Sequence, residues 1–134
     1  MIVALAMLSA TALVEQRKCN NARSGQEARI CQGLLAERVD REMAVQWKAA
    51  LAKVHHNDRE NLHEKLNVPS MADGFLKSQR AWLSYREAEC SMLADQTAGE
   101  GSGTSAYPSC FTRLTLRRTK ILKLRMSWLS PKDE

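Results

Sequence analysis

From Ile30 onward the apolar residues of this chain recur at steps of three and four: Ile30, Leu34, Leu35, Val39, Met43, Trp47, Ala50, Leu51 and Val54. That period places them on one face of a helix and predicts a single long amphipathic element. Ser24-Gly25-Gln26-Glu27 precedes it as a capping box, and Glu37 with Arg41 and Arg38 with Glu42 form i,i+4 pairs on the outer face. Asn57-Asp58-Arg59-Glu60 is a second capping signal, so the pattern predicts a break or kink near His56. A short helix then runs to about Leu66, with Leu62 and Leu66 facing inward. Asn67-Val68-Pro69-Ser70 reads as a turn whose serine caps the next helix. This next helix reaches about Asp95 and carries Phe75, Leu76, Gln79, Trp82, Leu83, Arg86, Cys90 and Leu93 along one side.

Thr97 to Ser105 (TAGEGSGTS) has no apolar anchor and reads as a loop. It lacks the Lys-Ser/Thr of a phosphate-binding loop and follows a helix rather than a strand, which makes it a tether. Pro108 suits the first turn of a last helix, Phe111, Leu114, Ile121, Leu122, Trp128 and Leu129 mark its buried side, and Pro131 ends it. With no alternating run and no internal repeat, the expected class is all-α: an antiparallel bundle of three main helices plus a short connecting helix, stapled by disulfides.

The N-terminus breaks this pattern. Ile2 to Val14 is an apolar run too short to span a bilayer comfortably, with small residues at Ala10-Thr11-Ala12 and an abrupt change to Glu15-Gln16-Arg17-Lys18. Residues 1–14 are expected to be a signal peptide cleaved near Ala12, although no Lys or Arg precedes the run; the alternative is an N-terminal helix packed on the domain. Residues 15–134 then form one helical domain with no membrane anchor in the mature form, periplasmic or secreted. All four cysteines, Cys19, Cys31, Cys90 and Cys110, follow the apolar run, with neither a C-x-x-C pair nor zinc-site spacing. An oxidising compartment pairs them, and of the three connectivities the pairing of sequence neighbours, Cys19 with Cys31 and Cys90 with Cys110, closes short loops without dragging helices out of register. Cys19 follows Arg17-Lys18 and lacks the small apolar residues of a lipid-attachment signal.

Charge on the helical faces supplies the remaining candidates. Arg86 and Arg118 fall at inward positions, as does Asp40, so a carboxylate pairing with one guanidinium or the other is expected to orient the helices. An anion-binding pair is the functional alternative. Trp47, Trp82 and Trp128 also fall on inward faces, where core packing is their default role. His56, Glu60 and His63 share a face only if helix continues through Asn57, and a solvated surface is the expectation for them; no metal or cofactor is expected. A catalytic site is hard to build from bridged cysteines and clustered histidines, so no catalytic residue is assigned and no enzyme is expected. The formal net charge of +5 favours acidic surfaces such as peptidoglycan or another polyanion. Arg113, Arg117, Lys120, Lys123 and Arg125 on the last helix are the candidates for that contact. No nucleic-acid partner is expected.

Gln79-Arg80-Ala81-Trp82, Tyr85-Arg86, Cys90, Gly101, Gly103, Cys110, Leu114-Thr115, Arg118 and Leu122 together resemble the C-terminal signature of the LprI-type lysozyme-inhibitor family. Cys19, Cys31, Asp40, Met43 and Trp47 fit its first half more loosely. Ala44 stands where the family usually has Asn, and residues around His55 to Ala72 are extra. The resemblance implies a small, non-enzymatic bacterial envelope protein that binds a protein partner such as a lysozyme (muramidase), through a surface beside the Gly101 and Gly103 loop. Animal-type lysozymes are strongly basic, so a basic inhibitor needs a local acidic patch, from Glu37, Asp40 and Glu42 or from Glu87, Glu89 and Asp95.

Overall fold

The computed structural model describes residues 2–63, 65–98 and 103–129, and every regular element among them is helical. The four helices are α1 (Ile2–Asn20), α2 (Gly25–His63), α3 (Met71–Thr97) and α4 (Gly103–Leu129). The all-α, disulfide-stapled fold read from the pattern is the fold observed. Side-chain pairs fix the directions. Asp40, Met43 and Trp47 of α2 meet Arg86, Gln79 and Phe75 of α3, so these two run antiparallel. Cys90, Arg86 and Gln79 of α3 meet Cys110, Thr115 and Arg118 of α4, which turns the chain again and leaves α2 parallel to α4. Helix α1 lies antiparallel against the first half of α2, where Ala12 and Cys19 pack on Leu35 and Val39 with Leu116 of α4 alongside.

The structure departs from the pattern at the far end of α2. No break occurs near His56, and the expected short connecting helix is the unbroken end of α2, which runs 39 residues to His63. The capping signal at Asn57-Asp58 acts on a different helix. Asp58 Oδ1 accepts the Met71 amide at 2.9 Å and Oδ2 the Ala72 amide at 2.9 Å and the Ser70 hydroxyl at 3.3 Å, so the carboxylate caps α3 across the connection. Ser70 adds the expected N-cap bond from the Asp73 amide at 3.3 Å. What ends α2 is Lys65, in the left-handed region at φ 57°. Its amide reaches the Leu62 carbonyl at 3.1 Å and the Leu66 amide reaches the Asn61 carbonyl at 2.8 Å, the two bonds of a Schellman motif. Leu62 and Leu66, expected inward, are exposed there because neither α3 nor α4 covers that flank of the last turn.

The main core lies between α2, α3 and α4 and comprises Met43, Ala50, Val54, Ala72, Phe75 and Leu122, with Trp47 stacked on Phe75 at a centroid distance of 4.5 Å. A second cluster surrounds the Cys90–Cys110 bridge with Leu114, Phe111 and Tyr107. Both bridges, Cys19–Cys31 and Cys90–Cys110, therefore lie in the half of the bundle away from the α2–α3 connection. Helix α4 starts earlier than expected, at Gly103, so Pro108 sits within it rather than in its first turn. Its buried side is set by Thr112, Thr115, Thr119 and Leu122, with Leu114 and Arg118 beside them. Consequently Trp128, expected inward, is 85% exposed, and Ile121 is exposed as well. Ile30, Leu34 and Leu83 are likewise exposed rather than facing the core.

Candidate functional site

The residues of the C-terminal signature converge on one polar seam through the helical core. Gln79 and Arg86 project from α3 two turns apart, a spacing of seven that keeps them on one face. Thr115 and Arg118 project from α4 toward them, and Asp40 closes the seam from α2. Arg86 Nη1 donates to Asp40 Oδ1 at 2.6 Å and to Thr115 Oγ1 at 2.9 Å, joining all three helices through one nitrogen. The guanidinium also lies over two rings, its carbon 3.7 Å from the Phe111 centroid and 4.8 Å from that of Trp82. The Arg86 side chain is 9% exposed and that of Asp40 42%, so the ion pair has one buried and one wetted partner.

Arg118 is the other guanidinium considered as Asp40's partner, and it takes a separate route. Its Nε donates to Gln79 Oε1 at 2.9 Å and its Nη2 reaches Ser78 Oγ at 3.4 Å, while Gln79 Nε2 turns to the Met43 sulfur at 3.5 Å. Burial pulls the Arg118 pKa below its ordinary value, and Arg125 pulls it further in the same direction. Trp82 sits beneath both cations, with the Arg118 guanidinium 5.6 Å from its ring. The seam thus holds two buried guanidinia, each given oxygen acceptors and a shared aromatic face. Such an arrangement fixes helix register by directional bonds.

Other signature residues face outward. Tyr85, next to Arg86 but about 100° round the helix, is 52% exposed. Ala81, Tyr85, Ala88 and Met92 are all exposed at helical spacing, with exposed Glu87 and Asp95 beside them. The result is a shallow apolar strip with an acidic margin. Glu87 is tied down: Tyr107 donates its hydroxyl to Glu87 Oε2, and Ser91 to Oε1 at 3.4 Å. Burial and then the bond to Glu87 raise the Tyr107 pKa. On α2, Glu37 and Glu42 pair with Arg41 at 3.8 Å and Arg38 at 3.7 Å, which neutralises much of the alternative acidic patch. Arg38 also bonds Glu15 of α1 at 2.6 Å.

Gly101 lies outside the described residues, and Gly103 opens α4 instead of lying in the loop. Arg113, Arg117 and Lys120 are all exposed, as the spacing required of a contact surface on α4. His56 and Glu60 are exposed on the unbroken α2, and among the described residues no three His, Cys, Asp or Glu side chains are grouped to hold a metal ion. The sequence reading missed Asp58 as a cap for α3 and missed an open groove lined by Val54, Met71, Gly74, Phe75, Arg125, Trp128 and Leu129, about 450 Å³ in volume. The signal for the groove was the apolar Trp128 placed beyond the turns of α4 that α2 and α3 cover.

The class of protein defined by this geometry is a small, disulfide-stapled helical bundle whose buried polar seam joins three of its helices. The family model described as Lysozyme inhibitor LprI matches residues 19–122, and the chain belongs to that family. An uncharacterised protein of Rhizobium meliloti (strain 1021) is similar as well, 25% identical over 105 residues that make up 78% of this chain and 76% of the relative. No solved structure matches the chain. No described helix is long and apolar enough to cross a membrane.

Proposed function

We propose that this protein is a non-enzymatic binding protein of the bacterial envelope that inhibits a muramidase by covering it with the exposed strip of α3. Membership of the lysozyme-inhibitor family carries the reading. The strip adds a contact surface of suitable chemistry: Tyr85 and Met92 as apolar anchors, small Ala81 and Ala88 between them, and Glu87 and Asp95 to meet a basic partner. Export as a periplasmic or secreted protein follows from the apolar segment 1–14, removed near Ala12. Ala12 is fully buried in the folded chain, so removal precedes folding. The Glu15–Arg38 pair and the Cys19–Cys31 bridge both lie after the cleavage point and hold the remainder of α1 in place.

The test is a lytic assay on bacterial cell walls with several lysozyme classes and the exported, oxidised protein. At least one class is expected to lose activity in proportion to added protein, and Tyr85→Ala is expected to weaken that inhibition by tenfold or more, the cost of an aromatic interface anchor, about 1.4 kcal/mol or above. Undiminished lysis by every class would refute the reading. Inhibition that survives Tyr85→Ala and Met92→Ala together would move the contact off α3.

A further inference from the structure

Helix α4 contains six basic residues and no Asp or Glu. Arg118 is buried, and Arg113, Arg117 and Lys120 project into solvent, where they make no ion pair among the described residues. Their spacing of four and three continues into Leu124 and Trp128 at the same period, with Ile121 alongside, and all three of these are exposed. One outward stripe therefore begins as three cations and ends as an aliphatic surface with a tryptophan, over about 22 Å of helix. The groove of about 450 Å³ opens beside the Trp128 end, is lined largely by apolar side chains, and among the described residues has Arg125 as its charged lining residue.

We propose that this stripe docks on the surface of an anionic phospholipid bilayer, the cations meeting headgroup phosphates, Trp128 lying at the interface and the groove receiving a segment of acyl chain beneath Arg125. Cations alone fit any polyanion, including the acidic peptides of peptidoglycan. An aliphatic and indole surface on the same stripe, continuous with an apolar groove, fits a partner that offers phosphate and hydrocarbon together. Charge complementarity is one-sided, since α4 carries no carboxylate that would repel the headgroups. The stripe shares no residue with the α3 strip, so the inference stands or falls separately from muramidase inhibition.

The experiment is co-sedimentation of the exported, oxidised protein with vesicles of phosphatidylcholine alone and of phosphatidylcholine with phosphatidylglycerol. Wild type is expected to partition onto the anionic vesicles and to be released by salt. The triple variant Arg113→Gln/Arg117→Gln/Lys120→Gln is expected to lose about fivefold per cation, roughly a hundredfold in all. The charge-preserving Arg113→Lys/Arg117→Lys variant should retain partition, and Trp128→Ala should lose it, because hydrocarbon contact is also required. All substituted positions are exposed, so unchanged melting temperatures verify folding. Equal partition of wild type, the triple variant and Trp128→Ala overturns the proposal. So does a triple variant that instead loses sedimentation with purified peptidoglycan, or muramidase inhibition in the absence of vesicles.

Discussion

Replacing Arg86 tests the polar seam most directly. Arg86→Leu removes a charge-assisted bond to Asp40 and a bond to Thr115, and it removes the stacking on Phe111 and Trp82. The first contributes about 1.5–3 kcal/mol and the second about 1, and each ring contact adds about 0.5–1. Against this gross loss of about 3.5–6 kcal/mol stands the desolvation cost of a guanidinium that is no longer buried, together with leucine packing in its place, which recover about 1–2. Asp40 is nearly half exposed and regains water, so it is not left as a stranded buried charge. The net expectation is a loss of about 3 kcal/mol, within a range of about 1.5–5. For a domain of this size that lowers the melting temperature by roughly 10 °C. The control is Arg80→Leu on the exposed face of α3, expected to change stability by less than about 0.5 kcal/mol. Urea and thermal unfolding with the disulfides intact measure both variants. Equal midpoints for the two would refute the assignment of Arg86 as the residue that ties the three helices together.

Other outcomes follow from single contacts. The bond from the Ala72 amide, helped by those from Met71 and Ser70 and by His55, lowers the Asp58 pKa below its ordinary 3.8 despite some desolvation. A depressed folded-state pKa means the cap's stabilisation is complete above about pH 4 and fades as pH falls through the folded value. Asp58→Ala should therefore cost about 1 kcal/mol at pH 6, and the gap from wild type in denaturant midpoint should narrow as the pH is lowered below that range; a gap that widens on acidification would contradict this. Lys65→Gly removes a left-handed strain of about 1–2 kcal/mol at the price of backbone entropy, so the midpoint of urea unfolding should rise, equivalent to about 0.5–1 kcal/mol. Replacing both Cys90 and Cys110 by Ser opens a loop of sequence separation 20 and should cost about 3 kcal/mol, read as a lowered melting temperature that reductant does not lower further through this bridge.

What the sequence revealed and what it concealed divide along physical lines. The helical period of α2 and α3 was legible because the apolar residues alone trace their buried faces, and the pairing of a central carboxylate with an inward guanidinium was legible because a buried Arg requires an acceptor. Which guanidinium Asp40 would choose was not, since Arg86 and Arg118 are both inward and only the stagger of α4 against α2 separates them. The Asn57-Asp58 motif was misleading for a definite reason: a carboxylate that caps a helix has the same local sequence whether the amides belong to its own helix or to another. Helix α4 was read correctly at Leu114 and Leu122, which are buried, and at Phe111 and Leu129, which pack on the core, but Ile121 and Trp128 lie outside and three threonines share its core face. Thr119 returns its hydroxyl to the Thr115 carbonyl at 2.9 Å, which allows polar residues to be buried where an apolar pattern was sought. Leu62 and Trp128 mark a further limit, as periodicity identifies a face without showing whether a neighbouring helix extends far enough to cover it.

The signature pair Tyr85-Arg86 links these two levels of organisation. Adjacent positions on a helix point about 100° apart, so one residue can lock α3 to α2 and α4 while the next is held outward at a fixed angle. Arg86 supplies the lock through Asp40 and Thr115, and the Cys90–Cys110 bridge one turn further on prevents α3 from sliding along α4. A loosely packed apolar seam would tolerate rotation of α3, because nonpolar contacts are non-directional; a 2.6 Å ion pair shared with a threonine on a third helix does not. If the Tyr85 strip is the contact surface proposed above, the buried guanidinium serves recognition without touching a partner. It holds the Tyr85 strip rigid, so that little conformational entropy is lost when a partner docks on it.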